Sequence, residues 1–290
     1  VDGAAYFNRM ISLDAPAKIN LSLRVVRRRE DGFHEIATQM APLALADRLT
    51  LERLPGAPHG RVEFTCDDAS VPGDETNLAV KAVRALERET GALPAVRIHL
   101  GKRVPHGAGL GGGSSDAAAV LRGLRDLLAA EWREAVLHNA AAAVGSDVPF
   151  FLHGGVCDCA GRGEVVTPVP DWNWRARILL LKPPFGVPTP DAYRRWAESR
   201  ETPGLTYGPQ YVDGVELVND LERPVFAKYP VLGLLKARLR EGAGVRAALM
   251  SGSGSTVFAV LEESANAAPL LKAAQELIGD ELWFCDTALR

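Results

Sequence analysis

The sequence predicts an α/β protein of two domains, and three observations carry that prediction. Residues 17–25, "AKINLSLRV", alternate apolar and polar as a half-buried strand does. Residues 107–113 hold five glycines, and the "SSDAAAVL" that follows turns abruptly helical. Beyond a composition shift at 168–174, "PVPDWNW", a second alternation of strands and helices begins. The expected domains are therefore 1–170 and 171–290.

Along the chain, Ala17, Ile19, Leu21, Leu23 and Val25 fall on one face of the first strand. Lys18, Asn20, Ser22 and Arg24 fall on the other, so Lys18 and Asn20 stand side by side on a polar front. Arg27, Arg28 and Arg29 read as the solvated end of that strand. Further strands are expected at 48–54, 61–66 and 95–101, with a capped amphipathic helix over 74–89. In the helix after the glycine loop, Ser114, Ser115 and Asp116 are capping or first-turn residues. Val120, Leu121, Leu124, Leu127 and Leu128 form its apolar stripe. A helix over 133–145 ends at Gly145, and Asp147 follows just beyond it. The second domain reads as strands at 175–182, 246–250, 256–262 and 281–289. Its helices are expected near 190–198, 215–222, 230–241 and 265–278, and "MSGSGS" (250–255) is a turn between two strands.

Composition narrows the classes. The chain has 290 residues, enough for one large or two medium domains, with 47% hydrophobic and 24% charged residues. A net charge of −3 leaves no basic footprint for nucleic acid and no polybasic membrane anchor. No apolar run approaches the roughly 18 residues of a membrane span. The first dozen residues lack the charged-then-apolar layout of a signal peptide, so a cytoplasmic protein is expected. Cys66, Cys157, Cys159 and Cys285 have neither a disulfide framework's spacing nor that of a zinc site, and read as reduced thiols. No metal ligand is assigned.

The glycine loop is the most informative stretch. Glycine loses more conformational freedom on folding than any other residue, so such a run is costly unless backbone must approach something closely. Phosphate held by free N–H groups at a helix N-terminus is the usual beneficiary. Laid on Gly107 to Ser114, the P-loop template requires lysine where Gly113 stands. The dinucleotide template G-x-G-x-x-G matches Gly107, Gly109 and Gly112, but the ribose-binding acid expected about 20 residues on falls inside helical sequence near Glu131. If the loop binds a nucleotide, its cation comes from elsewhere in the chain.

The segments "APAKINLSL", "DGFHEI", "DETNLAVKA", "PHGAGLGGGSSDAAA", "GSDVPFFLHGG" and "MSGSGSTVF", in this order and spacing, resemble the GHMP kinases from about Ala15 to Val260. That resemblance implies an N-terminal ATP-binding domain and a ferredoxin-like C-terminal domain. It implies that Pro105, His106, Gly107, Ala108, Gly109, Leu110, Gly111, Gly112, Gly113, Ser114 and Ser115 surround the phosphates of ATP. Asn77 matches the motif lining the adenine pocket. Lys18 matches the family's lysine, Asp147 its aspartate, and Asn20 shares the substrate's phosphate end with Lys18.

"GFHE" and "GSDVPF" together are similar to the family members acting on a cytidine diphosphate-linked methylerythritol. By that likeness Phe33 stacks on the base and His34 hydrogen-bonds its edge. Phenylalanine stands where those kinases commonly have tyrosine, keeping the stacking face without the hydroxyl. "GGVCDC" also departs from the family's run and leaves 157–159 unassigned. The implied cofactors are ATP and Mg²⁺, the latter held mainly by phosphates and water. The implied partner is the small-molecule substrate, with no nucleic acid and no membrane, in a monomer or homodimer. Two rival expectations stand beside this one: a homoserine- or mevalonate-type kinase, and a nucleotide- or nucleic-acid-binding module without catalysis.

Overall fold

Alternation, caps and positive-φ turns account for most of the element boundaries in the computed structural model, which describes residues 10–290. Much of the stretch bearing on a signal peptide lies outside the described residues. In chain order the strands are β1 (Met10–Arg28), β2 (His34–Arg53), β3 (Val62–Cys66), β4 (Val96–Gly101), β5 (Cys157–Ala160), β6 (Val165–Pro168), β7 (Arg177–Lys182), β8 (Gln210–Val212), β9 (Val215–Asn219), β10 (Val245–Met250), β11 (Val257–Leu261) and β12 (Trp283–Ala288). The helices are α1 (Leu78–Thr90), α2 (Gly112–Leu127), α3 (Glu134–Val144), α4 (Thr189–Trp196), α5 (Glu222–Lys228), α6 (Pro230–Arg240) and α7 (Ala267–Ile278), with a 3₁₀ turn at Pro149–Leu152.

The chain divides into two compact units. The first comprises the stretch ending at Ala17, Ala46–His106 and Gly111–Gly154; the second comprises Lys18–Leu45, Gly107–Leu110 and Gly155–Arg290. In the first unit, β4 pairs antiparallel with the C-terminal half of β2 and parallel with β3. Helices α1, α2 and α3 pack on one another, and α2 also packs on the 3₁₀ turn. Leu49, Leu51, Leu86, Ile98, Leu100, Leu121 and Phe150 are fully buried there. Asn77 caps α1 by accepting from Ala79 N–H at 2.8 Å.

In the second unit, β1 pairs parallel with β9, and the N-terminal half of β2 pairs with β5, which pairs with β6. A separate antiparallel sheet runs β10-β11-β7-β12. One apolar core joins Leu23, Val25 and Ile36 to Leu179, Leu181, Val225, Phe226, Leu235 and Val257.

Two sequence expectations are corrected and a third is narrowed. The helix near 215–222 is strand β9 followed by α5. Asp213 (φ 51°) and Gly214 (φ 82°) form a two-residue turn that pairs Val212 with Val215, and Asp-Gly is the hairpin signal that could have revealed it. The strand expected at 48–54 begins far earlier, so β2 is 20 residues long and starts at His34. Ser114, Ser115 and Asp116, expected as capping or first-turn residues, lie within the opening turns of α2 and not at its cap. Its N-cap is Gly111, in the left-handed region at φ 71°, with no side-chain capping bond.

Behind the 250–255 turn, Lys236 pairs with Glu222, and both are essentially excluded from solvent. Glu222 also accepts from Met250 N–H at 2.9 Å. Burial pushes the Glu222 carboxyl upward, opposed by Lys236. Removing one partner strands the other charge, so Lys236→Met is expected to cost about 3–5 kcal/mol in chemical denaturation. The double variant with Glu222→Gln is expected to recover part of that loss.

Candidate active site

Lys18 and Asn20 stand on the polar front of β1, and each is only 3% exposed. Lys18 Nζ donates to Asn20 Oδ1 at 2.7 Å, and Asn20 Nδ2 donates to Thr38 Oγ1 at 2.8 Å. Thr38 Oγ1 donates onward to the Ser22 carbonyl at 2.6 Å. The chain of bonds leaves the Asn20 amide one orientation, its oxygen toward the ammonium. An ammonium so far removed from water, donating to the Asn20 amide oxygen, suits an anion far better than an apolar group.

The two glycine turns meet at this pair. A Cβ on Gly252 would lie 3.3 Å from Asn20 Oδ1, 3.5 Å from Lys18 Nζ and 3.4 Å from the Gly109 carbonyl oxygen. Lys18 N–H donates to the Leu110 carbonyl at 2.9 Å, and Thr256 N–H to the Ala108 carbonyl at 3.2 Å. Ser251 Oγ donates to the Gly109 carbonyl at 3.0 Å. A Cβ on Gly109 would come within 2.4 Å of the Ser251 carbonyl oxygen and 2.9 Å of that of Gly254, so only glycine fits. Asn219 Nδ2 donates to the carbonyls of Met250 and Gly252, both at 2.7 Å, fixing the 250–255 turn from behind.

The start of β2 carries a second group. The His34 ring stacks on Tyr193 at 5.3 Å between centroids and meets the edge of Trp196 at 6.1 Å. Phe33 is 53% exposed, with the Arg162 guanidinium 5.0 Å above its ring. Burial, then the nearby Arg28 charge, holds His34 below the ordinary histidine range, so the ring is neutral at neutral pH and offers one donor and one acceptor.

Other sequence-selected residues sit in the first unit. Gly111, Gly112, Gly113, Ser114 and Ser115 open α2 and its first turn, preceded in the chain by Pro105 and His106. Asp147 lies in the turn between α3 and the 3₁₀ turn. Asn77 is buried and spends its side chain on the α1 cap and on the Pro72 carbonyl at 2.7 Å. Sequence reasoning missed Thr38, Tyr193, Trp196 and Asn219. The three-residue spacing of Tyr193 and Trp196 on a helix was a usable signal; Thr38 and Asn219 carried none. Cys157 and Cys159 are buried in β5.

Residues 77–155 match the model of the GHMP kinases N terminal domain, and residues 213–278 that of the GHMP kinases C terminal. The chain is 42% identical over 272 residues to the 4-diphosphocytidyl-2-C-methyl-D-erythritol kinase of Methylacidiphilum infernorum (isolate V4), covering 93% of each chain. This chain belongs to the GHMP kinase family. Among solved structures, a crystal structure of 4-(cytidine 5'-diphospho)-2C-methyl-D-erythritol kinase aligns with this GHMP kinase at a TM-score of 0.75 and 37% identity. That alignment covers 97% of this chain and all (100%) of the other. Homoserine kinase from Cytophaga hutchinsonii shares the fold at a TM-score of 0.65 and 18% identity, over 97% of this chain and 94% of its own. The mixed α/β architecture expected from the sequence is that of the family, and a small-molecule kinase is what the family makes of it.

Because backbone oxygens meet where a Gly109 side chain would stand, Gly109→Ala is expected to push the two turns apart. ATP affinity should fall at least roughly tenfold, or about 1.4 kcal/mol, in calorimetry. Native-like affinity would show that the turns need not touch.

Proposed function

We propose that this GHMP kinase transfers the γ-phosphoryl group of ATP to the 2-hydroxyl of 4-diphosphocytidyl-2-C-methyl-D-erythritol, a step in making isoprenoid precursors without mevalonate. The observation that carries the choice of substrate is the aromatic group at His34. A neutral imidazole flanked by Tyr193 and Trp196, next to exposed Phe33, suits a nucleobase edge and face; homoserine and mevalonate offer no base. The likeness to kinases named for that cytidine diphosphate compound supports the same choice.

In this reading the loop Pro105–Ser115 surrounds the phosphates, and Asn77 lies beside the adenine. Phosphoryl transfer is loose, so charge neutralisation and positioning lower most of the barrier. Lys18 meets the charge on the transferring group, Asn20 holds the phosphate end, and Asp147 orients the hydroxyl and accepts its proton. Among the described residues there is no group of three or more His, Cys, Asp or Glu placed to hold a metal. In this reading Mg²⁺ would be held mainly by the nucleotide phosphates and water, and no step is assigned to it. Among those residues no helix is long and apolar enough to cross a membrane. The reading places the enzyme in the cytoplasm as a monomer or homodimer, without a nucleic-acid partner.

An ATP-consumption assay against the cytidine diphosphate substrate, homoserine and mevalonate tests the assignment; turnover only with homoserine or mevalonate overturns it. His34→Ala is expected to weaken the cytidine substrate by about 1–3 kcal/mol while leaving ATP affinity unchanged. Since the His34 pKa is lowered, the ring stays neutral down to below its ordinary value of about 6.5. Substrate affinity should therefore be flat from neutral pH upward and fall only in acid. Asp147→Asn is expected to lower turnover at saturating substrate about 10²–10⁴-fold with little change in ATP binding. If single-turnover chemistry survives within a factor of a few, Asp147 is only a turn residue.

A further inference from the structure

Beneath the first turns of α2 lies a charge cluster with no part in the chemistry above. Lys102, just after β4, has a side chain only 6% exposed, between Asp47 at 0% and Asp116 at 4%. Its Nζ donates to Asp47 Oδ2, and to Asp116 Oδ2 at 3.2 Å. Asp47 Oδ1 accepts the backbone N–H groups of Arg103 at 2.6 Å and Val104 at 2.8 Å. Asp47 is therefore fully satisfied. Asp116 is not, because its Oδ1 and the neighbouring Ser115 Oγ are buried with no hydrogen-bond partner among the described residues. A Cβ on Gly112 would lie 3.1 Å from Lys102 Nζ, which puts the ammonium directly against the opening of the helix.

Two buried carboxylates thus share one ammonium, leaving an excess negative charge inside the helix that begins at Gly112. Of the elements packed on α2, α1, α3 and the 3₁₀ turn bring only apolar buried side chains, and β1 and β2 meet it at Gly123 through Ile11, Leu13 and Leu51. Asp47 is the buried charge that β2 adds, and α2 itself carries Arg122, whose Nε is buried. We infer that Asp47, Lys102 and Asp116 position the first turns of α2, and that polyphosphate binding at that turn is coupled to uptake of a proton by Asp116. The inference rests on reading Gly107–Ser115 as the ATP loop.

The direction follows from electrostatics. Burial raises the Asp116 carboxyl most, Lys102 opposes it, Asp47 adds to it, and the balance is about 7. A polyanion arriving at the N-terminal end of the helix is a further like charge, and like charge favours the neutral acid. Binding therefore draws in a proton, and by reciprocity nucleotide affinity rises as pH falls through the neutral range. The proton goes to the unpartnered Oδ1, which exchanges a buried anionic oxygen for a neutral hydroxyl. The same raised pKa means the folded state holds more protons than the unfolded chain between the ordinary carboxyl range and 7. Stability contributed by this group is therefore lost as pH rises across that window, and Asp116→Asn is expected to fold and to be no less stable than the native enzyme at about pH 8.

The test is calorimetric titration of ATP into the native enzyme and Asp116→Asn at about pH 7.5, in buffers of different ionisation enthalpy. Subtracting the variant removes protons exchanged by ATP itself and by His106. Native enzyme is expected to take up roughly 0.3–0.5 proton more per ATP, and to lose about three- to tenfold more affinity between about pH 6.5 and 8.5. Equal proton counts overturn the coupling. As a check that needs no variant, infrared difference spectra of the native enzyme should gain a protonated-carboxyl band on ATP addition near neutral pH; absence of the band also overturns it. Failure of native enzyme to bind ATP at all removes the loop reading itself, a separate and recognisable result.

Discussion

In the second unit, Gly109 presses its bare backbone against the carbonyls of Ser251 and Gly254, and the arrangement of the phosphate-end residues depends on that contact. With no Cβ on Gly109, the carbonyls of Ala108, Gly109 and Leu110 reach donors from Thr256, Ser251 and Lys18. Gly252 returns the favour by leaving room for the Lys18–Asn20 pair. The cost of ordering so much glycine is offset by hydrogen bonds that no substituted residue could make at these distances. Asn219, through the carbonyls of Met250 and Gly252, and Glu222, through Met250 N–H, then hold the second turn from behind, while its Ser251 and Gly254 carbonyls face Gly109.

Burial around Lys18 has a chemical consequence. A surface lysine is screened by water and offers little to a developing charge. At 3% exposure, with the Asn20 amide oriented by Thr38, the same ammonium acts over a short range in a weakly screened setting. His34 follows the opposite logic. It is kept uncharged and flanked by rings, which favours a neutral heterocycle over an ion. The substrate proposed here has both kinds of group, a charged diphosphate and a neutral base, and the second unit contains an environment suited to each.

The first unit handles charge differently. Its α1 spends Asn77 on a cap, whereas α2 begins at a left-handed glycine with no side-chain cap, leaving the first-turn N–H groups uncovered by side chains. That is the condition an anion-binding helix end requires. The buried Asp47–Lys102–Asp116 cluster beneath it places charge where a bound polyanion would be sensed through a poorly screened medium.

The sequence by itself determined the local elements and the family. The alternation of 17–25, the glycine run at 107–113 and the "MSGSGS" turn are local signals, set by side-chain period and by the positive φ of Gly107, Gly109, Gly111, Gly252 and Gly254. Even the Asp213-Gly214 turn was written there, though helical periodicity over 215–222 obscured the strand β9, whose place depends on pairing with β1 through Ser22–Val218. Tertiary structure alone decided that Lys18 and Asn20 are buried, that Gly109 touches Ser251 across 142 positions of sequence, and that Lys102 sits between Asp47 and Asp116. Burial and through-space partnership are properties of packing, and residues that are ordinary in their own neighbourhoods carry no sign of them: Thr38 reads as one more strand threonine until Asn20 donates to it.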